Sequence, residues 1–358
     1  MRNSSTATIV TITRLSDDPD TSVNISDLDL PGWVFSDIME CISYAMITVA
    51  FFGIIGNSLI MVTLIKIGFS TSINISFCAL CVSDFLCVAA LGWNAVCFVP
   101  AIGNSDLPFK PREVVIPTGG GLSDIFCGTT AWITAFISFE RCLCVVFPMK
   151  IKTIVSPGRA LFIVVTIFFI TIFPLTYITF YLYLFEKKFD KKKNRSLIGV
   201  EYRNSYIADT LNHVNFMYKM ICINSIPLAI ILVCSIALAV SLKKSVTWRE
   251  KQSSTNRETL QNSSRRKSSK DTRVAKTVLA IAMAFILLGG LTTLRHLASV
   301  TWPEFRVIGA YSRSYRSVAR LTFLFSLINS SVNFLIYYNT GSKFRHTVKQ
   351  MLCFEFRQ

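Results

Sequence analysis

Seven long apolar stretches constrain this chain more than any other feature of its sequence. They lie at about 41–66, 74–100, 122–148, 158–184, 214–242, 274–300 and 317–339. Each is long enough to cross a hydrocarbon core of roughly 30 Å as a helix, which takes about 20 residues. Inside a bilayer the backbone polar groups must hydrogen-bond within the chain, so spans of this kind fold as helices. The sequence therefore predicts an all-α membrane protein with a seven-transmembrane helix bundle.

The composition supports a membrane location. Of 358 residues, 52% are hydrophobic and only 16% are charged. The mean hydropathy of +0.49 exceeds that of an ordinary soluble domain. The net charge of +16 comes largely from Lys and Arg in the loops, where they set topology more often than they bind nucleic acid. We therefore expect the lipid bilayer, and no nucleic acid, as a partner.

The loops after odd-numbered spans hold most of this positive charge. The positive-inside rule assigns them to the cytoplasm, which puts the N-terminus outside and the C-terminus inside. Residues 1–40 are then an extracellular tail, 41–340 form the transmembrane domain and 243–273 form a flexible inner loop. Three sequons on the outer side predict glycosylation, at Asn3, Asn24 and Asn194.

Polar side chains on span three recur every three or four residues and therefore share one helix face. They are Ser123, Cys127, Thr130, Thr134, Ser138 and Arg141. Small and polar residues on one face of a membrane helix usually contact other helices, so this span is predicted to be the buried centre of the bundle. The eleven cysteines lie mostly within spans and are interpreted as small buried hydrophobic residues.

Asp84 is the only acidic residue of span two, and its neighbours are apolar. It fits either a protonated, hydrogen-bonded carboxyl group or a polar network around a sodium ion. Polar residues in spans one, two, three and seven favour the network. Its predicted members are Asn57, Asp84, Thr130, Asn329, Ser330 and Asn333. Apart from this sodium ion, we expect no cofactor and no metal.

Several short motifs together resemble the rhodopsin-like G-protein-coupled receptors. They are Gly56-Asn57, "CVSDF" in span two, "FERC" at the end of span three, Pro227, Phe285, "NSSVNFLIYY" in span seven and "GSKFRHTVKQMLC" after it. The resemblance extends from about 41 to 353 and is greatest to invertebrate, in particular molluscan, peptide and chemosensory receptors. It implies a plasma-membrane receptor for an extracellular peptide or small molecule, with a heterotrimeric G protein, arrestin and kinases as partners.

The resemblance also implies roles for individual residues. Glu140 and Arg141 match the acid–arginine pair of the family, which takes part in G-protein coupling. Asp84 and Asn333 match its sodium-site residues. Tyr337 matches the tyrosine of its span-seven motif, which belongs to the same switch as the acid–arginine pair.

Related receptors often hold this arginine with an acid at the inner end of span six, where Asp271 lies. Arg141 is therefore expected to bridge Glu140 and Asp271 when the receptor is inactive. The alternative is an interfacial arginine that Glu140 neutralises by itself. Residues 341–358 match a short amphipathic helix and cytoplasmic tail, with Cys353 as a palmitoylated cysteine.

The sequence departs from the family pattern at several places. Ile116 stands where a cysteine usually forms a disulfide with the second outer loop, and residues 184–214 contain no cysteine. Gly289-Gly290 replaces a tryptophan and a nearby proline, so no tryptophan switch is expected, although a glycine pair can still bend the helix. Span seven has no lysine from Leu321 to Asn339, which argues against an opsin.

Basic residues near the outer ends of the spans predict the chemistry of the ligand. Lys219 lies two turns above Pro227 within span five, and Asp124 on span three is a candidate partner for it. Basic groups around a partly apolar pocket suit a carboxylate, phosphate or sulfate, or an acidic peptide. For the peripheral arginines the alternative is interfacial snorkelling. The candidate pocket residues are Ser123, Asp124, Cys127, Lys219, Arg295, His296 and Arg320.

Two other classes of function, a channel or transporter and an enzyme, agree less well with the sequence than a receptor does. A seven-span ligand-gated channel or transporter remains the alternative, but it is expected to show internal repeats or paired broken helices, and the sequence shows neither. An enzyme is disfavoured because the three histidines are scattered and no metal or nucleophile motif is present. The sequence therefore predicts a receptor without enzymatic activity.

Overall fold

The computed structural model describes residues 29–146, 155–191, 193–253, 262–306 and 309–355. Within these ranges only the backbone is described at 145–146, 245–253, 262–272 and 352–355. Within these ranges seven helices are long and apolar enough to cross a membrane. They are α1 (Gly32–Ile67), α2 (Ser72–Phe98), α3 (Pro111–Cys144), α4 (Pro157–Leu182), α5 (Tyr206–Lys244), α6 (Arg273–Thr301) and α7 (Ser312–Thr340). A further helix, α8 (Ser342–Glu355), follows α7. The predicted seven-helix bundle with a C-terminal helix is confirmed.

The helices extend beyond the apolar stretches that predict them. α3 begins at Pro111 and α5 at Tyr206, each well before the start of its stretch. The helix of α5 continues to Ser253, and the helix that leads into α6 begins at Asn262. Both extensions lie inside the segment 243–273, which the sequence predicts to be a flexible loop. A helix that has already nucleated gains a hydrogen bond with each added residue, so it can continue past the hydrocarbon core.

Three of the spanning helices contain a turn of π-helix. These turns are Ile116–Gly121 in α3, Lys219–Ser225 in α5 and Phe285–Gly289 in α6. A π-turn changes the direction of the side chains around it and often occurs at functional sites. The distortion expected at Gly289-Gly290 takes this form in α6.

The centre of the bundle is formed by α2 and α3. In their most apolar segments 67% and 61% of the residues are buried, against 22% in α4. The polar face predicted for α3 lies inside, because Thr130, Thr134 and Ser138 are each 2% exposed. On the same helix a Cβ at Gly128 would lie 2.2 Å from Ile223 Cγ2. Only glycine at this position allows α3 and α5 to approach so closely.

A β-hairpin lies between α4 and α5. Its strands β1 (Tyr183–Asp190) and β2 (Arg195–Tyr202) pair antiparallel. Asn194 in the turn has a φ of 48°, a left-handed conformation that asparagine adopts more readily than most residues. The hydropathy pattern gave no indication of these strands, because the residues of β1 show no alternation of apolar and polar side chains.

Hydrogen bonds attach the hairpin to the segment between α2 and α3 and to the first turn of α3. Lys110 N donates to Ile198 O at 2.8 Å, and Ile198 N donates to Pro108 O at 3.0 Å. Glu113 of α3 accepts from Val200 N at 3.1 Å. These bonds hold the hairpin over one end of the bundle, which we call the hairpin end. The opposite end, from which α8 extends, is called the α8 end.

Asp29 precedes α1 and caps the first turn of α7 at the hairpin end. Its carboxylate accepts hydrogen bonds from Arg313 N at 2.8 Å, Ser314 N at 2.9 Å and Ser314 Oγ at 2.7 Å. Arg313 also donates a side-chain hydrogen bond to Leu30 O at 3.0 Å. Burial raises the pKa of Asp29, but the hydrogen bonds together outweigh burial and hold this pKa below its usual value.

Replacing Asp29 with alanine should lower the melting temperature at neutral pH, because α7 loses a cap that typically contributes about 1 kcal/mol. A carboxyl group whose pKa is lowered by folding stabilises the protein above its unfolded pKa and loses this effect as the pH falls through its folded pKa. The difference between wild type and Asp29→Ala should therefore shrink below about pH 4. Asp37→Ala, at an exposed position nearby, is the matched control. A difference that stays constant on acidification would contradict this role.

Candidate functional site

A narrow cavity lies between α3, α5, α6 and α7 on the side of the hairpin. Its volume is about 40 Å³, which holds a few water molecules, since one molecule needs roughly 10–15 Å³. Apolar walls are supplied by residues such as Phe285 and Ile223. The polar groups on its wall include Asp124, Thr130, Lys219, Asn224, His296 and Asn329.

The π-turns of α5 and α6 shape this cavity. Lys219 and Asn224 come from the π-turn of α5, while Phe285 and Gly289 come from that of α6. The wide turn of α5 is stabilised by its own side chains, since Asn224 Nδ2 donates to the carbonyl oxygen of Lys219 at 2.7 Å. The turn therefore places the Lys219 side chain on the side of α5 that faces α3.

The main charged contact in the cavity joins α3 to α5. Lys219 Nζ lies 3.1 Å from Asp124 Oδ2. The Lys219 side chain is 15% exposed and the Asp124 side chain is 32% exposed, so Asp124 is the more accessible of the two. The partner that the sequence suggested for Lys219 is thus the one that the structure places beside it. Removal of either partner would leave a partly buried charge unpaired.

Arg295 and His296 of α6 add two unused hydrogen-bond donors next to this ion pair. Arg295 donates to Tyr315 Oη at 2.7 Å and to His296 Nε2 at 3.1 Å. A guanidinium only donates, so His296 Nε2 accepts and the ring proton lies on Nδ1. His296 Nδ1 and Arg295 Nε have no hydrogen-bond partner among the described residues. Both side chains lie close enough to Asp124 to interact with its charge.

The hairpin covers this charged group. Burial raises the pKa of the Tyr183 hydroxyl, and the nearby negative charge of Asp124 raises it further. The Tyr183 ring packs edge-on against Tyr202 of β2, with the ring centroids 6.0 Å apart. Sequence reasoning missed Tyr183 because its position near Asp124 depends on the hairpin, which the hydropathy pattern did not indicate.

Two predicted pocket residues of α3 have contacts that the sequence did not suggest. Ser123 is 1% exposed and donates to Gly120 O at 2.9 Å, within its own helix. Cys127 lines the cavity and is joined by a disulfide to Cys87 of α2. Both residues pack in one hydrophobic cluster, as the sequence interpretation expects, but that interpretation did not include their pairing. The two helices bring their Cα atoms to 5.7 Å, a separation that suits a disulfide.

Arg320 does not line the cavity but lies between α1, α2 and α7, where it is 3% exposed. Its guanidinium donates to Asn94 Oδ1 and, at 2.9 Å, to Ser43 Oγ. It also lies 4.0 Å from the centroid of the Phe98 ring, a cation–π contact. Neutral acceptors and an aromatic ring therefore hold this buried charge and link three helices.

The polar network predicted around Asp84 is assembled in the middle of the bundle. Asp84 is fully buried, and its carboxylate accepts from Thr130 Oγ1 at 3.0 Å and from Asn333 Nδ2 at 2.6 Å. Asn57 donates to Ser330 O at 2.9 Å and so joins α1 to α7. Asn329, the remaining predicted member, lies on the cavity wall. The network therefore connects four helices just below the cavity.

The acid–arginine pair lies at the α8 end of α3. Arg141 Nη2 lies 2.7 Å from Glu140 Oε1, and the two side chains are 13% and 1% exposed. Glu140 also accepts from Ser72 Oγ and Ser76 Oγ of α2, so the carboxylate is held from two helices. The side chain of Asp271, the other predicted partner of Arg141, lies outside the described part of the chain. The same holds for Asn3, Asn24 and the side chain of Cys353.

Two hydrogen bonds that sequence reasoning missed tie α6 to the junction of α7 and α8. Arg273 Nη1 donates to Ser342 Oγ at 2.7 Å, and Thr277 Oγ1 donates to Thr340 Oγ1 at 2.7 Å. Close by on α7, Tyr337 is 4% exposed. Its hydroxyl has no hydrogen-bond partner among the described residues. The α8 end thus holds α6 against α7 and leaves the Tyr337 hydroxyl unused as a donor.

Comparisons with known proteins agree with this geometry. The family described as "7 transmembrane receptor (rhodopsin family)" matches residues 56–337, which is more than half of the chain. Among solved structures, the crystal structure of squid rhodopsin is similar to this chain with a TM-score of 0.63 and 18% sequence identity. The similarity covers 91% of this chain and 87% of the squid chain, and it concerns the fold. The sequence has no match among curated proteins.

Replacing Asn94 with alanine should destabilise the bundle, because buried Arg320 loses its side-chain acceptor on α2. A hydrogen bond to a charged group contributes about 1.5–3 kcal/mol, so the melting temperature should fall by several degrees. Asn94→Asp, which offers Arg320 a carboxylate, should be less destabilised than Asn94→Ala. Asn204→Ala, at an exposed position, serves as the control. An unchanged melting temperature for Asn94→Ala would show that Arg320 does not need this acceptor.

Proposed function

The chain belongs to the rhodopsin family of seven-transmembrane receptors, and we propose that it is a plasma-membrane receptor that binds an extracellular ligand and activates a heterotrimeric G protein. The observation that carries this proposal is the presence of charged groups at two levels of α3, one in the cavity and one near the α8 end. Asp124 lies in the cavity and Arg141 lies near the α8 end, roughly 25 Å away at about 1.5 Å per residue. One rigid helix thus connects a ligand site to a coupling site.

In this proposal the hairpin end is extracellular and the α8 end is cytoplasmic. Asn194 is exposed in the hairpin turn, where its sequon is accessible to glycosylation. Lys66 and Lys343 are among the exposed basic residues at the α8 end, as the positive-inside rule requires of a cytoplasmic face. This orientation places the cavity under the outer loops, where a ligand arriving from outside can reach it.

Activation in this proposal separates α6 from α7 and releases Arg141. In the structure Glu140 holds Arg141, while the bonds from Arg273 and Thr277 hold α6 to the start of α8 and the end of α7. Each such contact contributes on the order of 1 kcal/mol, so together they bias the equilibrium without fixing it. A ligand that favours the open arrangement can then shift the population. Asp271 remains a proposed additional partner of Arg141.

The buried network fits a sodium ion that stabilises one state of the bundle. A hard cation prefers oxygen ligands, and the Asp84 carboxylate lies beside the hydroxyl of Thr130. Asn333 and Ser330 would supply further oxygen atoms from α7. When bound, the ion would neutralise the Asp84 charge. The residues themselves link α2, α3 and α7, whose relative position changes with activation in this proposal.

Regulation is proposed at the cytoplasmic loop between α5 and α6. This segment, in which helix resumes at Asn262, contains Ser263, Ser264, Ser268 and Ser269 next to a run of basic residues. Phosphates there would add negative charge to a basic segment, which suits kinases and arrestin as partners. These side chains lie outside the described part of the chain, so the proposal rests on the sequence.

Arg141→Ala should abolish nucleotide exchange on a heterotrimeric G protein, because the arginine is the proposed contact to the G protein. The assay uses full-length receptor in lipid nanodiscs without ligand and compares variants at matched amounts of folded protein. Lys66→Ala removes an exposed positive charge from the same end and is the control. Normal exchange by Arg141→Ala would make the arginine an interfacial anchor. A current through the receptor without G protein would instead favour the ligand-gated channel.

Thr277→Val should raise ligand-free nucleotide exchange about fivefold, because valine keeps the shape of threonine but cannot donate to Thr340. One lost hydrogen bond of about 1 kcal/mol corresponds to that factor in the equilibrium between the two states. Thr301→Val, at the exposed hairpin end of α6, is the matched control and should leave exchange unchanged. Unchanged or lower exchange in Thr277→Val would contradict the role of this contact.

A further inference from the structure

We propose that the cavity binds a small molecule that carries both an ammonium group and a carboxylate, as a free α-amino acid does. In this inference the ligand separates Asp124 from Lys219. Its ammonium group replaces Lys219 beside Asp124, and its carboxylate replaces Asp124 beside Lys219. The inference rests on the proposed receptor function of the same cavity. It narrows the ligand class from a peptide or anionic molecule to a small zwitterion.

The charges of the cavity favour a zwitterion over a simple ion. An anion that pairs with Lys219 would displace Asp124 and leave this carboxylate without its ammonium partner. A cation that pairs with Asp124 would displace Lys219 and leave this ammonium without its carboxylate partner. A zwitterion supplies an ammonium to Asp124 and a carboxylate to Lys219, so both protein charges stay paired. Because an unpaired buried charge is strongly unfavourable, only the third arrangement avoids a large cost.

The unused donors of α6 fit the carboxylate of such a ligand. His296 lines the cavity, is 7% exposed, and carries a proton on Nδ1 that has no acceptor among the described residues. A carboxylate beside Lys219 could accept this hydrogen bond as well. Arg295 fixes the ring in this tautomer through its contact with His296 Nε2. The ammonium of the ligand would then lie at Asp124, the more exposed member of the ion pair.

The size of the cavity favours a small ligand. With the ion pair closed, the cavity of about 40 Å³ is too small for any amino acid. Lys219 has a flexible four-carbon side chain, so breaking its contact with Asp124 can enlarge the space without moving a helix. The remaining wall includes Phe285, Phe323 and Ile223, which suit an apolar part of the ligand. The N-terminus of a peptide lacks a carboxylate next to its ammonium and would leave Lys219 unpaired.

The experiment screens the standard free L-amino acids for their effect on the melting temperature of the full-length receptor in nanodiscs. At least one should raise it. The N-acetyl form of that amino acid, an anion, and its methyl ester, a cation, should each need at least a tenfold higher concentration for half-maximal effect. Equal potency of either blocked form would overturn the inference. The absence of a shift with every free amino acid would also overturn it.

Protein variants locate the effect in the cavity. Asp124→Asn and Lys219→Met remove one charge each with little change in size, and each should raise the half-maximal concentration at least tenfold. Lys187→Met removes an exposed charge from the hairpin and should leave the half-maximal concentration unchanged. The ligand-free melting temperature of each variant reports whether it folds. Unchanged potency in folded Asp124→Asn and Lys219→Met would overturn the inference.

Nucleotide exchange in the same samples separates this inference from the proposed function. An amino acid that binds without promoting exchange on any heterotrimeric G protein would overturn the coupling and leave the ligand class standing. Ligand-free exchange that depends on Arg141, together with no amino-acid binding, would support the receptor function and overturn the ligand class.

Discussion

Charged side chains inside the helix bundle, among them Asp84, Lys219 and Arg320, are held by groups from neighbouring helices, and this requirement determines much of the packing. Lys219 of α5 pairs with Asp124 of α3, and Arg320 of α7 donates to Asn94 of α2. In a hydrocarbon environment each such group is costly without its partner, so these contacts restrict how the helices can be arranged. They also mark the places where a ligand or a conformational change can exchange one partner for another.

This need for a partner applies at both functional regions of α3, the cavity and the α8 end. In the cavity, the ion pair can be replaced by the charges of a zwitterion, which removes the direct contact between the side chains of Asp124 and Lys219. At the α8 end, Glu140 holds Arg141, and hydrogen bonds from Thr277 and Arg273 hold α6. The π-turns of α5 and α6 form part of the cavity wall. A change at the cavity therefore acts on helices whose other ends form the proposed coupling site.

Local patterns were sufficient to predict the spans and the buried face of α3, because hydropathy and helical periodicity are properties of single segments. The neighbours of Asp84 were predicted from the joint occurrence of polar residues in four spans and from the family resemblance. The pairing of Lys219 with Asp124 could also be suggested, since few charges lie inside the spans. The hairpin, Tyr183 and the contact between Thr277 and Thr340 were missed. These features depend on how separate segments meet, and no residue pattern within one segment encodes that meeting. The pairing of Cys87 with Cys127 was missed for the same reason.

The central claim of the proposed function is that the α8 end of α6 moves when the receptor binds a G protein. The most direct measurement is the distance between spin labels at 66, in the last turn of α1, and at 276 on α6, both of which are exposed. The account predicts that this distance increases by several ångströms when nucleotide-free heterotrimeric G protein binds, and that Arg141→Ala prevents the increase. An unchanged distance in a receptor that demonstrably binds the G protein would contradict the account.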